Sequence, residues 1–185
     1  MIDWEKQWEL HAPNFLNGYA HVSLQEFGSV DQAFRMMSGP GFGDLSHPTT
    51  RIMLTLMPHT IDQPVIDVGC GSGVLSLAAK LSGAPEVYGI DIDDAAIAHA
   101  KRNAELNQLN CTFSTVLPLV PSNPLILMNM ISSEQRHAWE ALPNFRGVEL
   151  IVSGFPIEEA PPHYGKILRE LSLEGWKGYH IKKEG

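Results

Sequence analysis

The stretch that most constrains this chain is Val65-Ile66-Asp67-Val68-Gly69-Cys70-Gly71-Ser72-Gly73-Val74-Leu75. A short apolar strand-like run passes through three alternate glycines straight into an apolar helix-like run. Such a junction brings bare backbone, and the N-terminus of a helix, close to a ligand. Asp91 ends the next strand-like segment, eighteen residues after Gly73, where a carboxylate can accept both hydroxyls of a ribose. Together these features specify a nucleoside cofactor. A dinucleotide fingerprint needs glycine at its sixth position, but Val74 stands there, which makes NAD the lesser reading. A P-loop is excluded, because no Gly-Lys-Ser/Thr follows.

From residue 49 onward helix-like and strand-like segments alternate, the pattern of an α/β domain with a mostly parallel, doubly wound sheet. The periodicity predicts helices over 49–57, 73–82, 94–107 and 133–142, and one within 164–173. Strands are expected at 64–68, 86–90, 111–115, 125–130, 149–153 and 178–182. The Pro-rich connection 118–124 is too short for an ordinary crossover helix, so one connection is abbreviated. Residues 1–48 read as a lead-in packed on the core: an opening with Trp4 and Trp8, a stop at Pro13, strand-like pieces at 19–24 and 33–37, and a Gly/Pro loop at 38–43. Residues 49–185 then form the catalytic part of a single domain. A chain of 185 residues buries roughly 70% of its extended-chain surface and needs no disulfide or structural metal.

Composition narrows the function classes further. Cys70 and Cys111 have no framework or ligand spacing and suit a reducing compartment. No apolar run approaches a membrane span and the opening residues lack a secretory pattern, so the expected location is the cytoplasm. The net charge of −8 opposes direct nucleic-acid binding and tolerates a basic partner. The eight histidines show no paired ligand spacing, so no metal is expected.

The form Asp67-x-Gly69-x-Gly71-x-Gly73 resembles the first motif of class I S-adenosylmethionine-dependent methyltransferases. Further stretches resemble one family among them, the bacterial ribosomal protein methyltransferases of the PrmA type. These are Phe42-Gly43-Asp44-Leu45-Ser46-His47-Pro48-Thr49-Thr50, Gly89-Ile90-Asp91-Ile92-Asp93 with Ala98-x-x-x-Arg102-Asn103-Ala104-x-x-Asn107, Met128-Asn129-Met130-Ile131, and the opening Asp3-Trp4-Glu5-x-x-Trp8. The resemblance implies a Rossmann-like fold with helices on both faces of the sheet, S-adenosyl-L-methionine as cofactor, and N-methylation of a lysine or N-terminal amine on a ribosomal protein. It carries cofactor contacts to Thr50, Gly69, Asp91 and Asn129, and the same motifs add Asp67, Gly71, Gly73 and Ile92. Asn129 is also the candidate catalytic residue, through an amide oxygen that aims the attacking amine. His47 reads better as a structural loop histidine than as a base, and Asp93 and Asp94 as helix-start residues than as ligands.

Several departures bear on the substrate. Asp44-Leu45 stands where the family has Thr-Gly, and Ser114-Thr115-Val116 offers no carboxylate to an adenine. The family's N-terminal recognition domain has no counterpart in these 185 residues, and the chain ends about where the family begins its last antiparallel strand, leaving that strand's presence open. The alternatives are a methyltransferase of the same fold for a small molecule or another protein, and a non-catalytic cofactor-binding relative or fragment.

Overall fold

The computed structural model describes residues 2–184. Local chemistry sets where its helices begin. Asp3 caps α1 (Trp4–His11) through the Lys6 N–H, and His47 caps α2 (Pro48–Leu56), which carries proline in its first turn. Gly73, at φ 83°, opens α3 (Val74–Leu81). Asp93 caps α4 (Asp94–Leu106) by accepting the Ala95 N–H, with Asp94 in the first turn, as their helix-start reading anticipates. The last helix is α5 (Ser132–Ala141).

Strands β1 (Phe15–Leu16), β2 (Tyr19–Ser23) and β3 (Ala33–Met37) form a small antiparallel sheet within the lead-in. The main sheet holds β4 (Val65–Val68), β5 (Val87–Ile90), β6 (Thr112–Ser114), β7 (Leu125–Asn129), β8 (Glu149–Pro156), β9 (Gly165–Leu173) and β10 (Trp176–Lys183), in the order β6-β5-β4-β7-β8-β10-β9. The pairs from β6 to β8 are parallel, while β10 runs antiparallel to both β8 and β9. Strand order reverses at β4, so the ends of β4, β5 and β7 open on a crevice of the kind where such sheets bind ligands.

Alternation along the strands sorts the interior into two cores. Val65, Leu125, Leu127 and Ile151 pack with α2, α3, α4 and the small sheet on one face. Ile66, Ile126, Met128, Leu150, Val152 and Tyr179 pack on the other, against α5 and Phe145. Helices thus cover both faces, but unequally. The β6–β7 connection has no helix, as its prolines and length predict, and the β8–β9 connection has none either.

One expectation needs correction and one open point is closed. Residues 165–173 form the edge strand β9, not a helix. The last antiparallel strand, whose presence was open, is there as β10, inserted between β8 and β9. Lys-Ile-Leu-Arg-Glu-Leu has good helix formers, but Glu174 (φ 49°) and Gly175 (φ 82°) make a tight turn with two left-handed residues, which folds 165–173 back on β10 as a hairpin. The edge strand is mostly exposed, so it lacks the apolar alternation that would have marked it.

A Cβ at Gly175 meets no atom within 4 Å, so Gly175→Ala isolates the backbone cost of the left-handed turn. The expected loss is about 1–2 kcal/mol in urea unfolding. An unchanged midpoint would show that the turn does not depend on this conformation.

Candidate functional site

The glycine loop leaves β4 with Gly69, Gly71 and Gly73 all at positive φ. The N–H groups of Gly69 and Cys70 both donate to the Ile90 carbonyl, at 2.8 and 3.0 Å, which ties the loop to the end of β5. Gly71 N–H donates to Asp91 Oδ2 at 3.0 Å, and Asp93 N–H to Asp91 Oδ1 at 3.0 Å. The carboxylate is thereby fixed at the lip of the loop, each oxygen retaining a lone pair for a further donor. Ile92 follows with its side chain 97% exposed, an uncovered apolar surface beside that carboxylate.

A second loop closes over the first. Ser72 N–H donates to the Phe42 carbonyl at 2.8 Å, and Gly41 lies so close that a Cβ there would stand 2.5 Å from the Gly71 carbonyl carbon. A side chain at Gly71, whose φ is 54°, would stand 2.6 Å from the Phe42 oxygen. Neither position has room for anything but hydrogen. Gly43, two residues on, packs against Val74 and Ser72.

Thr50, fully buried in the first turn of α2, receives a hydrogen bond from Asn129 Nδ2 at 3.3 Å across 79 residues of sequence. The Asn129 Oδ1 accepts nothing from the described residues. Behind it, buried Gln135 of α5 donates to the carbonyls of Met130 (2.7 Å) and Ser153 (3.1 Å), holding the end of β7 beside the middle of β8. Gln135 was not among the predicted residues, and a lone glutamine in a polar helix carries no signal of such a role. His47 is structural, as anticipated: its Nδ1 accepts from the Thr49 hydroxyl at 2.8 Å and caps α2, while burial and nearby Arg51 hold its pKa down. Its ring packs edge-on against Phe42 and Trp176, with centroids at 5.6 and 4.9 Å.

Leu45 stands where a glycine is expected and adopts φ 69°, yet it is only 4% exposed. Its added bulk turns into the core, and burial there offsets the left-handed backbone. Asp44 accepts the Ser46 N–H at 3.0 Å.

Asp67 lies beneath the loop at 1% exposure, its Oδ2 accepting the Ser76 hydroxyl at 2.6 Å. Burial pushes its carboxyl up to about 7; the Ser76 hydrogen bonds oppose the rise and the Asp91 charge adds to it. The Cys70 thiol is pushed up by burial too, and that of Cys111 to about 12, so neither is a nucleophile near neutral pH. Among the described residues, no group of three or more His, Cys, Asp or Glu could hold a metal ion, and no helix is long and apolar enough to cross a membrane. A separate cavity of about 830 Å³ lies between α5 and the β8–β9 connection, lined by Arg136, Trp139, Phe145 and Tyr164 among others. None of the predicted site residues lines it.

The structure therefore gathers Gly69, Gly71, Gly73, Asp91 and Ile92 at one lip of the crevice and Thr50 with Asn129 at the end of β7, with Asp67 underneath.

The buried Asp67 makes stability depend on pH. Its folded-state pKa lies above the unfolded value of 3.8, so its contribution is present below that value and lost as pH rises through about 7. Relative to wild type, Asp67→Asn should be more favourable at about pH 8 than at about pH 5, by up to a few kcal/mol in urea unfolding. Equal differences at both pH values would mean that the carboxyl titrates normally.

The family model described as ribosomal protein L11 methyltransferase (PrmA) matches residues 3–139. A protein named ribosomal protein L11 methyltransferase from Burkholderia mallei is 41% identical over 153 residues, covering 75% of this chain and 48% of that protein. One of the same name from Paraburkholderia phymatum is 42% identical over 110 residues, covering 52% of this chain and 37% of its own length. The chain thus spans less than half the length of these curated relatives. Among solved structures, a ribosomal protein L11 methylase from Lactobacillus delbrueckii subsp. bulgaricus shares the fold, with a TM-score of 0.66 at 24% identity, over 84% of this chain and 87% of that one.

Proposed function

Because this chain belongs to the ribosomal protein L11 methyltransferase (PrmA) family, we propose that it binds S-adenosylmethionine over the Gly69–Gly73 loop and transfers a methyl group to an amine of a ribosomal protein. The observation that carries this reading is the Asp91 carboxylate, held by Gly71 N–H and Asp93 N–H at the lip of the loop with lone pairs left over for ribose hydroxyls.

The residues present fit this cofactor better than a dinucleotide. None of 69–73, 91–93 or 129–131 is cationic, as a pyrophosphate would favour, whereas Asp67 and Asp91 suit a ligand bearing sulfonium and ammonium charges. The open apolar side chain of Ile92 suits a nucleobase. Thr50 and Asn129 mark the opposite wall, and Gly73 starts the helix that faces the ligand.

The cofactor supplies an activated methyl on a positively charged sulfur, so the protein's task is mainly positioning. The attacking amine must be neutral, and partial desolvation in the crevice favours that form. Asn129, with Nδ2 given to Thr50, turns its Oδ1 free to accept an amine hydrogen and aim the lone pair. Gln135 keeps this stretch of backbone in place through the Met130 carbonyl. Exposed Phe42, Ile131 and Ile157 lie on the loops that surround the strand ends, an apolar mouth for a polypeptide whose basic character matches a chain of net charge −8.

Calorimetric titration with S-adenosylhomocysteine, with NADH as the competing ligand, tests the cofactor. Binding should be weakened by about 1.5–3 kcal/mol in Asp91→Ala. Tighter binding of NADH would sink the assignment. In a methyl-transfer assay on ribosomal proteins, Asn129→Ala should lower turnover more than cofactor affinity; equal losses would remove its role in aiming the amine.

A further inference from the structure

Along α4 and its C-cap, residues His99, Asn103 and Asn107 recur every four positions and form one polar stripe. His99 and Asn103 are fully buried, and every partner they have outside the helix is a backbone group of the two loops at the crevice or of the strand leading into them. Gly41 N–H donates to His99 Nδ1 at 3.1 Å, so the ring proton sits on Nε2, which donates to the Met37 carbonyl at 2.7 Å. Asn103 Oδ1 accepts the Met37 N–H at 2.8 Å, and its Nδ2 donates to the Ser72 carbonyl at 2.9 Å. Ser72 N–H donates in turn to Phe42. The bonds close a ring: α4 grips both loops, and the loops grip each other.

We propose that His99 and Asn103 are positioning residues for the cofactor, holding the Met37–Gly43 segment and the Gly69–Gly73 loop in one fixed relation. This rests on the cofactor reading above. The bonds to Gly41 and Ser72 are buried and the two to Met37 partly so, so removing either side chain strands a buried donor or acceptor on a loop that shapes the site. Asn107 supplies an internal comparison. It belongs to the same stripe and bonds the N–H and carbonyl of Arg35 at 2.9 and 2.6 Å, but it touches neither loop.

The histidine also makes the clamp sensitive to acid. A protonated imidazole has two donors and no acceptor, so Gly41 N–H would lose its partner. Around the ring stand Trp8 of α1, edge-on at 5.7 Å, and the backbone of Met37, Gly39 and Gly41; the charged group acting on it is Arg102 of its own helix. Burial holds its pKa below the usual histidine value, the Met37 hydrogen bond opposes this, and Arg102 adds to it. The clamp is therefore intact at neutral pH and opens on the acid side.

The test is titration of the full chain with S-adenosylhomocysteine between about pH 5 and 8, together with thermal unfolding of each variant. His99→Ala and Asn103→Ala should weaken binding about tenfold or more. His99→Gln keeps a neutral donor and acceptor, so it should recover most of the affinity and reduce the acid-side loss to the part that the Asp67 proton contributes. Asn107→Ala should lower the unfolding temperature but leave affinity near wild type. The proposal is overturned if Asn107→Ala weakens binding as much as the other two, or if His99→Gln follows the wild-type pH profile. Failure of the wild-type chain to bind at any pH would instead sink the cofactor reading. Amide exchange at Gly41 and Ser72 then decides the clamp: faster exchange in His99→Ala sustains it, and unchanged rates overturn it.

Discussion

Two loops distant in sequence meet backbone to backbone where Gly41 lies on Gly71 and Ser72 N–H reaches the Phe42 carbonyl. A methyl group at either glycine would stand 2.5 or 2.6 Å from a peptide atom, well inside van der Waals contact, so the loops can meet here only because both positions are bare. From this contact the rest of the crevice follows. The loop that Phe42 holds down is the one whose Gly71 N–H orients Asp91, and the segment that carries Gly41 continues through His47 into α2, where Thr50 meets Asn129. Positive-φ glycine at 71 is thus a requirement of packing as much as of turn geometry.

The two faces of the sheet are supported differently. On one, α2, α3 and α4 bury Ile52, Leu77 and Ala100 against the strands, and the lead-in sheet is pinned from outside by the polar stripe of α4. There Arg35 and Met37, at the edge of β3, satisfy their backbone groups with asparagine and histidine side chains, so a helix caps an edge that would otherwise recruit another strand. On the other face a single helix, α5, and two helix-free connections cover the strands. The crevice is therefore walled by three helices on the first face, while on the second Gln135 ties the end of β7 to β8.

Electrostatics and packing point the same way at the site. Asp67 stays buried next to Ser76 with its carboxyl pushed up to about 7, so the ground under the loop holds a proton that a cationic ligand would help release. Asp91 is arranged in the opposite manner, open to the crevice and steadied by two backbone donors. Exclusion of water thus sets the protonation of Asp67, while two backbone donors set only the orientation of Asp91.

What could be read in advance depended on patterns confined to one element. The short apolar runs at 65–68 and 125–129, the glycines at 69, 71 and 73, the cap at Asp93 and the prolines of 118–124 all act on their own neighbours, and by itself the sequence determined the parallel core, the glycine loop, the carboxylate at the end of β5 and the missing crossover helix. Edge strand β9 escaped because exposed residues with good helix propensity show no period of two; its state is decided by the Glu174-Gly175 turn and by hydrogen bonding to β10. The clamp of His99 and Asn103 escaped for a different reason. Their partners lie 31 to 66 residues away, and a histidine or asparagine on a helix looks the same in sequence whether it faces water or holds a buried peptide group. Only the tertiary structure decided which backbone donors and acceptors those side chains would satisfy, because hydrogen-bond satisfaction in the interior is a property of the assembled fold and not of any one segment.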